Sequence, residues 1–437
     1  MQIVVSFFSV HRFCVVTEKW HRKSEVVIMK KNLSMKIKAA LVTAAMLVSV
    51  TGCGSSGEKD GTVKVGLLHS MTGSMAISEK AVLDAEKLAI DEINEAGGVL
   101  GCKIEYQEED GASDPSTFAT KAEKLVDQDG ISTVFGCWTS SSRKAVKSIF
   151  EDYDALLFYP VQYEGMESSS NIIYTGAAPN QQIVPAIEYL IDQGYQKFFL
   201  LGSDYVFPRT ANMIITAQVE AAGLEVVGEE YADMDQTDFA AIISKIEEAQ
   251  PDVIINTLNG TSNVSFFKQM SEKNYTSENY MTMSFSIAEE EVATIGSDIL
   301  KGHMVSWNYY QTTDTEKNKE FVKAYKEAYG EDRVTSDPVE AAYDAVYLWK
   351  AACEKAGSFE VDDILAAIEE GGISYDAPEG TVTIDGANHH LAKPVRIGQV
   401  GDDGLIYEIY ATDGPVEPDP YLETYDWAVE AGIKPLE

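Results

Sequence analysis

From residue 62 onward, short apolar runs alternate with amphipathic stretches along the chain. The run over 63–68 is typical of a strand, and residues 78–96 repeat apolar positions at helical spacing. The alternation continues with strands predicted over 103–107, 133–136 and 156–159 and helices predicted over 117–128 and 143–151. Asp114 and Pro115 are a capping residue and a first helical residue for the helix over 117–128. Such β-α-β-α alternation predicts an α/β fold with a mainly parallel, doubly wound sheet.

A second series of the same kind follows. Its predicted helices cover 182–193, 209–222, 239–249 and 262–273, and the strands that follow them cover 197–201, 224–231, 253–256 and 280–283. Because each series can build a sheet of its own, the pattern predicts two doubly wound lobes. In open α/β sheets, ligands bind outside the carboxyl ends of the strands. The loops that follow the strands are therefore the candidate functional segments.

Composition narrows the class of protein. The 437 residues include 34 Lys and Arg against 70 Asp and Glu, a formal net charge of −36, and 45% are hydrophobic. This length predicts about two domains, and the ordinary apolar fraction favours a folded protein over a disordered one. We expect no nucleic-acid partner, because binding phosphates depends on an excess of Lys and Arg.

The start of the chain has different chemistry from the rest. Residues 1–52 hold eight basic and two acidic residues, and a positive segment at 35–38 precedes an apolar run over 39–50. That run is too short to span a bilayer and has the layout of a secretory signal. Val50-Thr51-Gly52-Cys53 resembles the cleavage motif of bacterial lipoproteins, and the resemblance implies that Cys53 is lipidated. The alternative is a plain secretion signal with an incidental cysteine.

We therefore expect residues 29–52 to be a lipoprotein signal peptide and 53–60 a flexible tether, with 1–28 a doubtful N-terminal extension. Cys102, Cys137 and Cys353 show neither a disulfide framework nor zinc spacing, so we expect buried thiols there, and Cys137 is expected to end a strand next to the one that Cys102 opens. Nucleophile-elbow, zinc-protease, P-loop and dinucleotide-binding motifs are missing. The sequence thus predicts a protein that is not an enzyme, with no cofactor and no metal.

Hydroxyl, amide and aromatic side chains recur in the loops after the predicted strands, over 69–74, 137–143, 160–165, 202–209, 256–262 and 284–288. Residues 139–142 stand at a predicted helix start, where hydroxyls and free N–H groups bind a carbonyl or carboxylate oxygen or simply cap the helix. Ser286 and Glu289 have the spacing of a capping box, and the acidic run over 289–291 is expected to be a solvated face. His69 is a candidate ligand contact at a strand end.

Four segments carry a family resemblance. Residues 136–146, 159–165, 176–182 and 202–212, with Trp138 and Tyr159-Pro-Val-Gln-Tyr163 among them, resemble the urea and short-chain amide branch of the type I periplasmic binding proteins, and are most similar to urea-transport binding subunits. This family also contains the Leu/Ile/Val-binding proteins of ABC transporters. The resemblance covers about residues 62–425.

The resemblance implies a fold of two lobes joined by a hinge with three crossovers. Lobe I would comprise 61–177 plus 309–393, and lobe II 178–308 plus 394–437. It also implies that Trp138, Ser140, Tyr159 and Tyr163 of lobe I and Tyr205 and Phe207 of lobe II contact the ligand. The loop chemistry adds Thr139, Gln162 and Ser286 to the ligand-binding candidates. Amide-binding relatives have a hydroxyl residue where Val161 stands, which leaves the choice between urea and other amides open.

The expected function is that of an extracytoplasmic, lipid-anchored substrate-binding subunit of an ABC importer. It would close on urea or a short-chain amide and deliver it to the transmembrane subunits of the permease. Two alternatives stay open: an amino-acid-binding subunit of a branched-chain-type ABC importer, and an amide-sensing module of the same fold. An amino acid would need an acidic partner for its ammonium group, which Glu289 or Glu164 could supply.

Overall fold

The computed structural model describes residues 61–434. The predicted extension, signal peptide, Cys53 and tether lie outside these residues. The first elements are β1 (Gly61–His69), α1 (Ala76–Glu95), β2 (Cys102–Asp110), α2 (Pro115–Glu123), β3 (Thr133–Gly136), α3 (Ser140–Tyr153), β4 (Leu156–Tyr159) and β5 (Ile172–Tyr174). The five strands form one parallel sheet in the order β2-β1-β3-β4-β5. All five carboxyl ends therefore lie at one edge, which is where the loops predicted to carry function begin.

The second series builds a larger sheet. It consists of α4 (Ile183–Asp192), β6 (Lys197–Ser203), α5 (Val206–Ala221), β7 (Glu225–Ala232), α6 (Ala240–Ala249), β8 (Val253–Thr257), α7 (Thr261–Glu272), β9 (Thr282–Ser284), α8 (Glu289–Ile295), α9 (Ser297–Leu300) and β10 (Met304–Trp307). These strands pair in parallel in a seven-stranded sheet of order β15-β14-β10-β9-β8-β6-β7. Only its last two strands along the chain, β14 and β15, pair antiparallel.

The remaining elements are α10 (Glu316–Tyr329), α11 (Asp337–Ala356), α12 (Val361–Glu369), β11 (Ser374–Ala377), β12 (Gly380–Ile384), β13 (Leu391–Ala392), β14 (Arg396–Val400), β15 (Ile406–Ala411) and α13 (Asp426–Ala431). Strands β11, β12 and β13 form a third, antiparallel sheet, whereas β14 and β15 complete the seven-stranded one. Helix α11 packs on the five-stranded sheet, where the ring of Trp349 meets Phe135 edge-on at 6.1 Å. The chain thus passes between the two sheets after β5, after β10 and before β14.

The predicted fold class is confirmed, since two mainly parallel sheets are covered by helices. The cap at Asp114 is also as expected, because its carboxylate accepts the Thr117 N–H at 2.7 Å. Cys137 and Cys353 are buried free thiols, whereas Cys102 is partly exposed. The expectation that the strands of Cys102 and Cys137 are neighbours is wrong, because β1 lies between them. Within residues 61–434, no helix combines the length and apolarity needed to cross a bilayer.

Candidate ligand-binding site between the two sheets

The carboxyl edges of the two sheets face each other. Gln162, in the loop after β4, donates from Nε2 to the carbonyl of Phe285, in the loop after β9, at 2.9 Å. Ser78, in the first turn of α1, donates to Oε1 of Glu291 in α8 at 2.5 Å. Because these bonds join segments that follow strands of different sheets, the space between the edges is the natural place for an enclosed ligand.

The start of helix α3 is occupied by its own hydrogen bonds. Thr139 caps the helix by accepting the Ser142 N–H at 3.1 Å. Ser140 donates its hydroxyl to Glu164 and accepts Nη1 of Arg143 at 3.1 Å. The capping interpretation therefore holds for Thr139. Ser140 links the helix start to the loop after β4, and the first N–H groups of the helix have no partner within it.

A buried guanidinium organises this side of the site. Arg143 bonds Glu164 from Nη2 at 3.0 Å and Glu167 from Nε at 2.8 Å, and its side chain is fully buried. The guanidinium lies 5.1 Å from the ring of Tyr159 and 4.6 Å from that of Tyr163. Although burial alone would raise it, Arg143 holds the pKa of Glu167 below its usual value. The three charged side chains form one paired cluster beneath the strand ends.

Tyr159 and Tyr163 have different surroundings. The Tyr159 hydroxyl donates to the carbonyl of Trp138 at 2.6 Å, and burial raises its pKa. The ring of Tyr163 is covered by Arg143 on one side and stacks on Tyr174 at 4.9 Å. Its hydroxyl lies 2.6 Å from Nε2 of His390. Tyr163 therefore supports the site from behind, whereas Trp138 and Tyr159 stand at the strand ends themselves.

The predicted site residues of the seven-stranded sheet also differ in their surroundings. Tyr205 is close enough to Tyr159 and Glu164 for both to add to the burial that raises its pKa. Phe207, 6.3 Å from Tyr205 between ring centres, belongs to the buried core around the seven-stranded sheet. Ser286 donates its hydroxyl to the carbonyl of Leu258, which ties together the loops after β8 and β9. Tyr205 thus lies on the side of this sheet that faces Tyr159 and Glu164.

The acidic segment after β9 differs from expectation in two ways. The predicted capping box of Ser286 and Glu289 is wrong, because Glu291 accepts the N–H of Ala288 at 3.0 Å instead. The prediction of a solvated face is also wrong, since Glu289 and Glu291 are buried. Burial raises the pKa of Glu289 well above its usual value. Burial therefore disfavours the charged form of this carboxyl group.

Among the residues that the structure describes, the buried acceptors without a hydrogen-bond partner at these edges include Oε1 of Gln162, Oε1 of Glu79 and Oε2 of Glu289. The other oxygen of Glu79 accepts the Ser70 N–H at 2.6 Å, and that of Glu289 accepts the Gln311 N–H at 2.8 Å. Buried polar atoms are nearly always paired in native proteins. The unpaired acceptors between the facing edges are therefore available to a molecule that brings hydrogen-bond donors.

His69 takes a structural role. Its Nε2 lies 2.9 Å from both carboxylate oxygens of Glu86, and Glu79 lies on the side of Nδ1 at 3.8 Å. Although burial alone would lower it, Glu86 and Glu79 raise the pKa of His69 to about 9. No pattern in the sequence indicated that Glu79 is buried beside His69, because an acidic residue in the first turn of a helix is normally exposed. Arg143 lies within residues 136–146, one of the segments that carry the family resemblance, but the sequence predicted no role for it.

Comparison with known proteins places the chain among binding proteins. The family model described as "Periplasmic binding protein domain" matches residues 63–426. Leu/Ile/Val-binding protein homolog 8 of Brucella suis is 22% identical over 405 residues, which cover 87% of this chain and 98% of that protein. Leu/Ile/Val-binding protein homolog 6 of Brucella melitensis is 23% identical over 373 residues, covering 83% of this chain and 94% of that protein.

Solved structures share the fold. A solute-binding protein of an ABC transporter from Rhodopseudomonas palustris BisB5, in complex with 3,4-dihydroxy benzoic acid, superposes with a TM-score of 0.72 at 24% identity, covering 82% of this chain and 99% of that one. The branched-chain amino acid transporter substrate-binding protein LivJ from Streptococcus pneumoniae, in complex with isoleucine, superposes with a TM-score of 0.70 at 22% identity, covering 82% and 100%. Because the family model spans nearly all of the described residues, the chain belongs to the periplasmic binding protein domain family, a family of binding proteins rather than of enzymes.

Proposed function

We propose that this chain is the extracytoplasmic substrate-binding subunit of an ABC importer and that it carries urea or a short-chain amide between its two sheets. The way in which polar and charged groups are paired at the facing edges supports a neutral ligand that is rich in hydrogen-bond donors. Acceptors there are left unpaired, while the buried cations are already paired. The names of the similar solute-binding proteins support the role in import. The lobe boundaries and the anchor at Cys53 are part of the same proposal.

A carboxylate ligand fits these edges poorly. In the described part of the chain, the two buried cations at the edges are His69 and Arg143. The first is bonded to Glu86, and the second to Glu164 and Glu167. A buried carboxylate needs a charged partner or several free donors. Because neither cation is free to pair with a carboxylate of the ligand, the two edges favour a ligand without net negative charge.

Urea matches the unpaired groups. It offers four N–H donors, which the free oxygens of Gln162 and Glu79 can accept. Its single carbonyl oxygen can accept the unbonded N–H groups at the start of α3. The rings of Trp138 and Tyr205 would cover its planar faces. Affinity for so small a ligand depends on satisfying each of its polar atoms, because there is little apolar surface to bury.

An amino acid is the second candidate. The buried, unpaired Oε2 of Glu289 is an acceptor suited to an ammonium group, and relatives over most of the chain are named Leu/Ile/Val-binding protein homologs. For this ligand, Glu289 must ionise and the α3 start must bind the carboxylate without a cation. Both requirements cost free energy that urea binding avoids.

Ligand screening by thermal shift separates the two candidates. The purified protein is heated with urea, acetamide, formamide, leucine, isoleucine, glutamate or 4-hydroxybenzoate at micromolar to low-millimolar concentrations, far below denaturing urea. A ligand at about 100 times its Kd adds about 2.7 kcal/mol to the unfolding free energy, which raises Tm by several degrees. We expect a saturable rise with urea or a short amide. A rise with an amino acid or the benzoate alone would refute the urea proposal.

Gln162→Leu should weaken urea binding at least tenfold, a loss of about 1.4 kcal/mol. The substitution removes one unpaired acceptor and the bond from Nε2 to Phe285 while keeping the side chain close to its original size. Gln193→Leu is the matched control, because Gln193 lies exposed at the end of α4. Isothermal titration calorimetry measures both. Equal Kd values for the two variants would show that Gln162 does not contact the ligand.

A further inference from the structure

A second cluster of carboxylates lies away from the facing edges. Glu340 and Asp344 are one turn apart on α11, and Glu379 lies in the turn between β11 and β12. One oxygen from each lies within 4.8 Å of the others, and all three residues are buried. The pair on α11 shares a helix face because of its four-residue spacing. No local motif in the sequence connects Glu379 with that pair.

Most oxygens in this cluster have no hydrogen-bond partner. Both carboxylate oxygens of Asp344 are unpaired, although the residue is 0% exposed. Glu340 uses Oε1 to accept the Glu379 N–H at 3.0 Å, which leaves its Oε2 free. Oε1 of Glu379 forms an ion pair with Nζ of Lys393 at 3.2 Å, whereas its Oε2 has no partner. Asp344 is thus fully buried beside two other carboxyl groups, and no N–H or basic group of the described residues donates to it.

The buried carboxylates of this cluster outnumber its buried cations. Lys393 is the buried cation of the cluster, and it also donates to the carbonyl of Thr175 at 3.0 Å. Burial and mutual repulsion raise the pKa values of Glu340 and Asp344, and burial raises that of Glu379. A single lysine cannot compensate three buried carboxylates. Either protons or a second cation must supply the remaining positive charge.

We propose that Glu340, Asp344 and Glu379 bind one calcium ion. The donors are all hard oxygens, with no imidazole or thiolate, which is the ligand set of Ca²⁺ and Mg²⁺ rather than of zinc or copper. Three carboxylate oxygens that all lie within 4.8 Å of one another are close enough to share a single ion whose Ca–O distances are about 2.4 Å.

The site lies where the chain crosses between the sheets. Lys393 precedes β14 and bonds Thr175, which follows β5. Asp337, at the start of α11, accepts the N–H groups of Asn308 and Tyr309, which follow β10, at 2.8 and 3.0 Å. A calcium ion on α11 would brace these crossing segments and add to global stability. The proposal does not depend on which solute binds between the sheet edges.

A cavity lies on the neighbouring surface. It has a volume of about 290 Å³ and is lined by Tyr343, Tyr375, Pro378 and Glu92. Tyr343 and Pro378 are the neighbours in sequence of Asp344 and Glu379, and Asp344 acts electrostatically on the hydroxyl of Tyr375. The three carboxylates themselves do not line this cavity.

Metal counting on the whole protein tests the proposal. The protein is stripped with a chelator, desalted, and dialysed against calcium or magnesium at about 150 mM monovalent salt to screen the acidic surface. Bound metal is then counted without any solute ligand. We expect one Ca²⁺ per chain and a Tm that rises by several degrees on adding calcium. No stoichiometric calcium, or binding of magnesium alone, would overturn the assignment.

Asp344→Asn locates the ion, and Asp314→Asn is the matched control, because the side chain of Asp314 is 88% exposed. We expect the first variant to lose the bound calcium and its Tm rise, and the second to keep both. Asp344→Asn without metal should fold at least as well as wild type, since it removes one buried charge. If it does not fold, Glu340→Gln takes its place. A variant that folds and still binds one calcium per chain would refute the site.

Discussion

Replacing Arg143 with alanine will lower the free energy of unfolding by about 3–5 kcal/mol, because it leaves buried carboxylates without their cation. Arg143 is fully buried and bonds Glu164 at 3.0 Å and Glu167 at 2.8 Å. Its guanidinium also covers the rings of Tyr159 and Tyr163. The alanine variant therefore loses packing, two charged hydrogen bonds and the partner of two acidic groups at once.

Guanidinium chloride is the denaturant for this experiment, since urea is the proposed ligand. The matched control is Lys147→Ala on the same helix. Lys147 pairs with Glu151 at 2.6 Å, but both side chains are partly exposed, so the loss should be about 0.5 kcal/mol or less. Arg143→Lys should recover only part of the stability, because an ammonium group cannot reproduce the planar fork that bonds both glutamates. A loss below about 1 kcal/mol for Arg143→Ala would show that the two carboxyls are stable without a cation.

Much of the fold could be predicted because its signals are local. The strands over 133–136 and 156–159 have the predicted bounds, since each is an unbroken run of buried residues between turn signals. The helix at Pro115 starts where the Asp114 cap places it. Strand β5 has three residues and β13 has two, too few to show a period, so the sequence did not indicate them.

The candidate site was harder to predict than the fold, because the role of each side chain depends on residues that are distant in sequence. Ser140 was a candidate donor to the ligand, but its hydroxyl is bonded to Glu164, a residue 24 positions away. Tyr163 is also a predicted ligand residue, and its hydroxyl lies against His390, 227 positions away, a contact that no local pattern indicates. The acidic run over 289–291 looked solvated because burial of a helix start against another sheet has no local signature. Loop position therefore predicts where a site lies, whereas long-range pairing decides which side chains remain free.

Stability should fall as pH rises through about 9, because the pKa of His69 is about 9 in the folded protein. In the unfolded chain a histidine has a pKa of about 6.5. A group whose pKa is raised by folding stabilises fully below the unfolded value and loses that contribution as pH passes the folded value. The difference of about 2.5 pH units corresponds to about 3 kcal/mol. Glu86 acts in the same direction, since burial raises its pKa as well.

The test compares two buried histidines. His69→Gln combined with Glu86→Gln removes the titrating pair, since Glu86 without His69 would itself titrate, whereas burial lowers the pKa of His303 to about 4, so that His303→Gln removes a ring that stays neutral over the range tested. Guanidinium denaturation between about pH 6.5 and about pH 9.5 should show wild type and His303→Gln losing about 3 kcal/mol more stability than the double variant. Glu290, whose pKa burial raises to about 8, contributes equally to all three proteins and cancels in this difference. The same pH dependence in both variants would mean that His69 is uncharged in the folded protein, and that the cation assigned to the edge of the five-stranded sheet is absent.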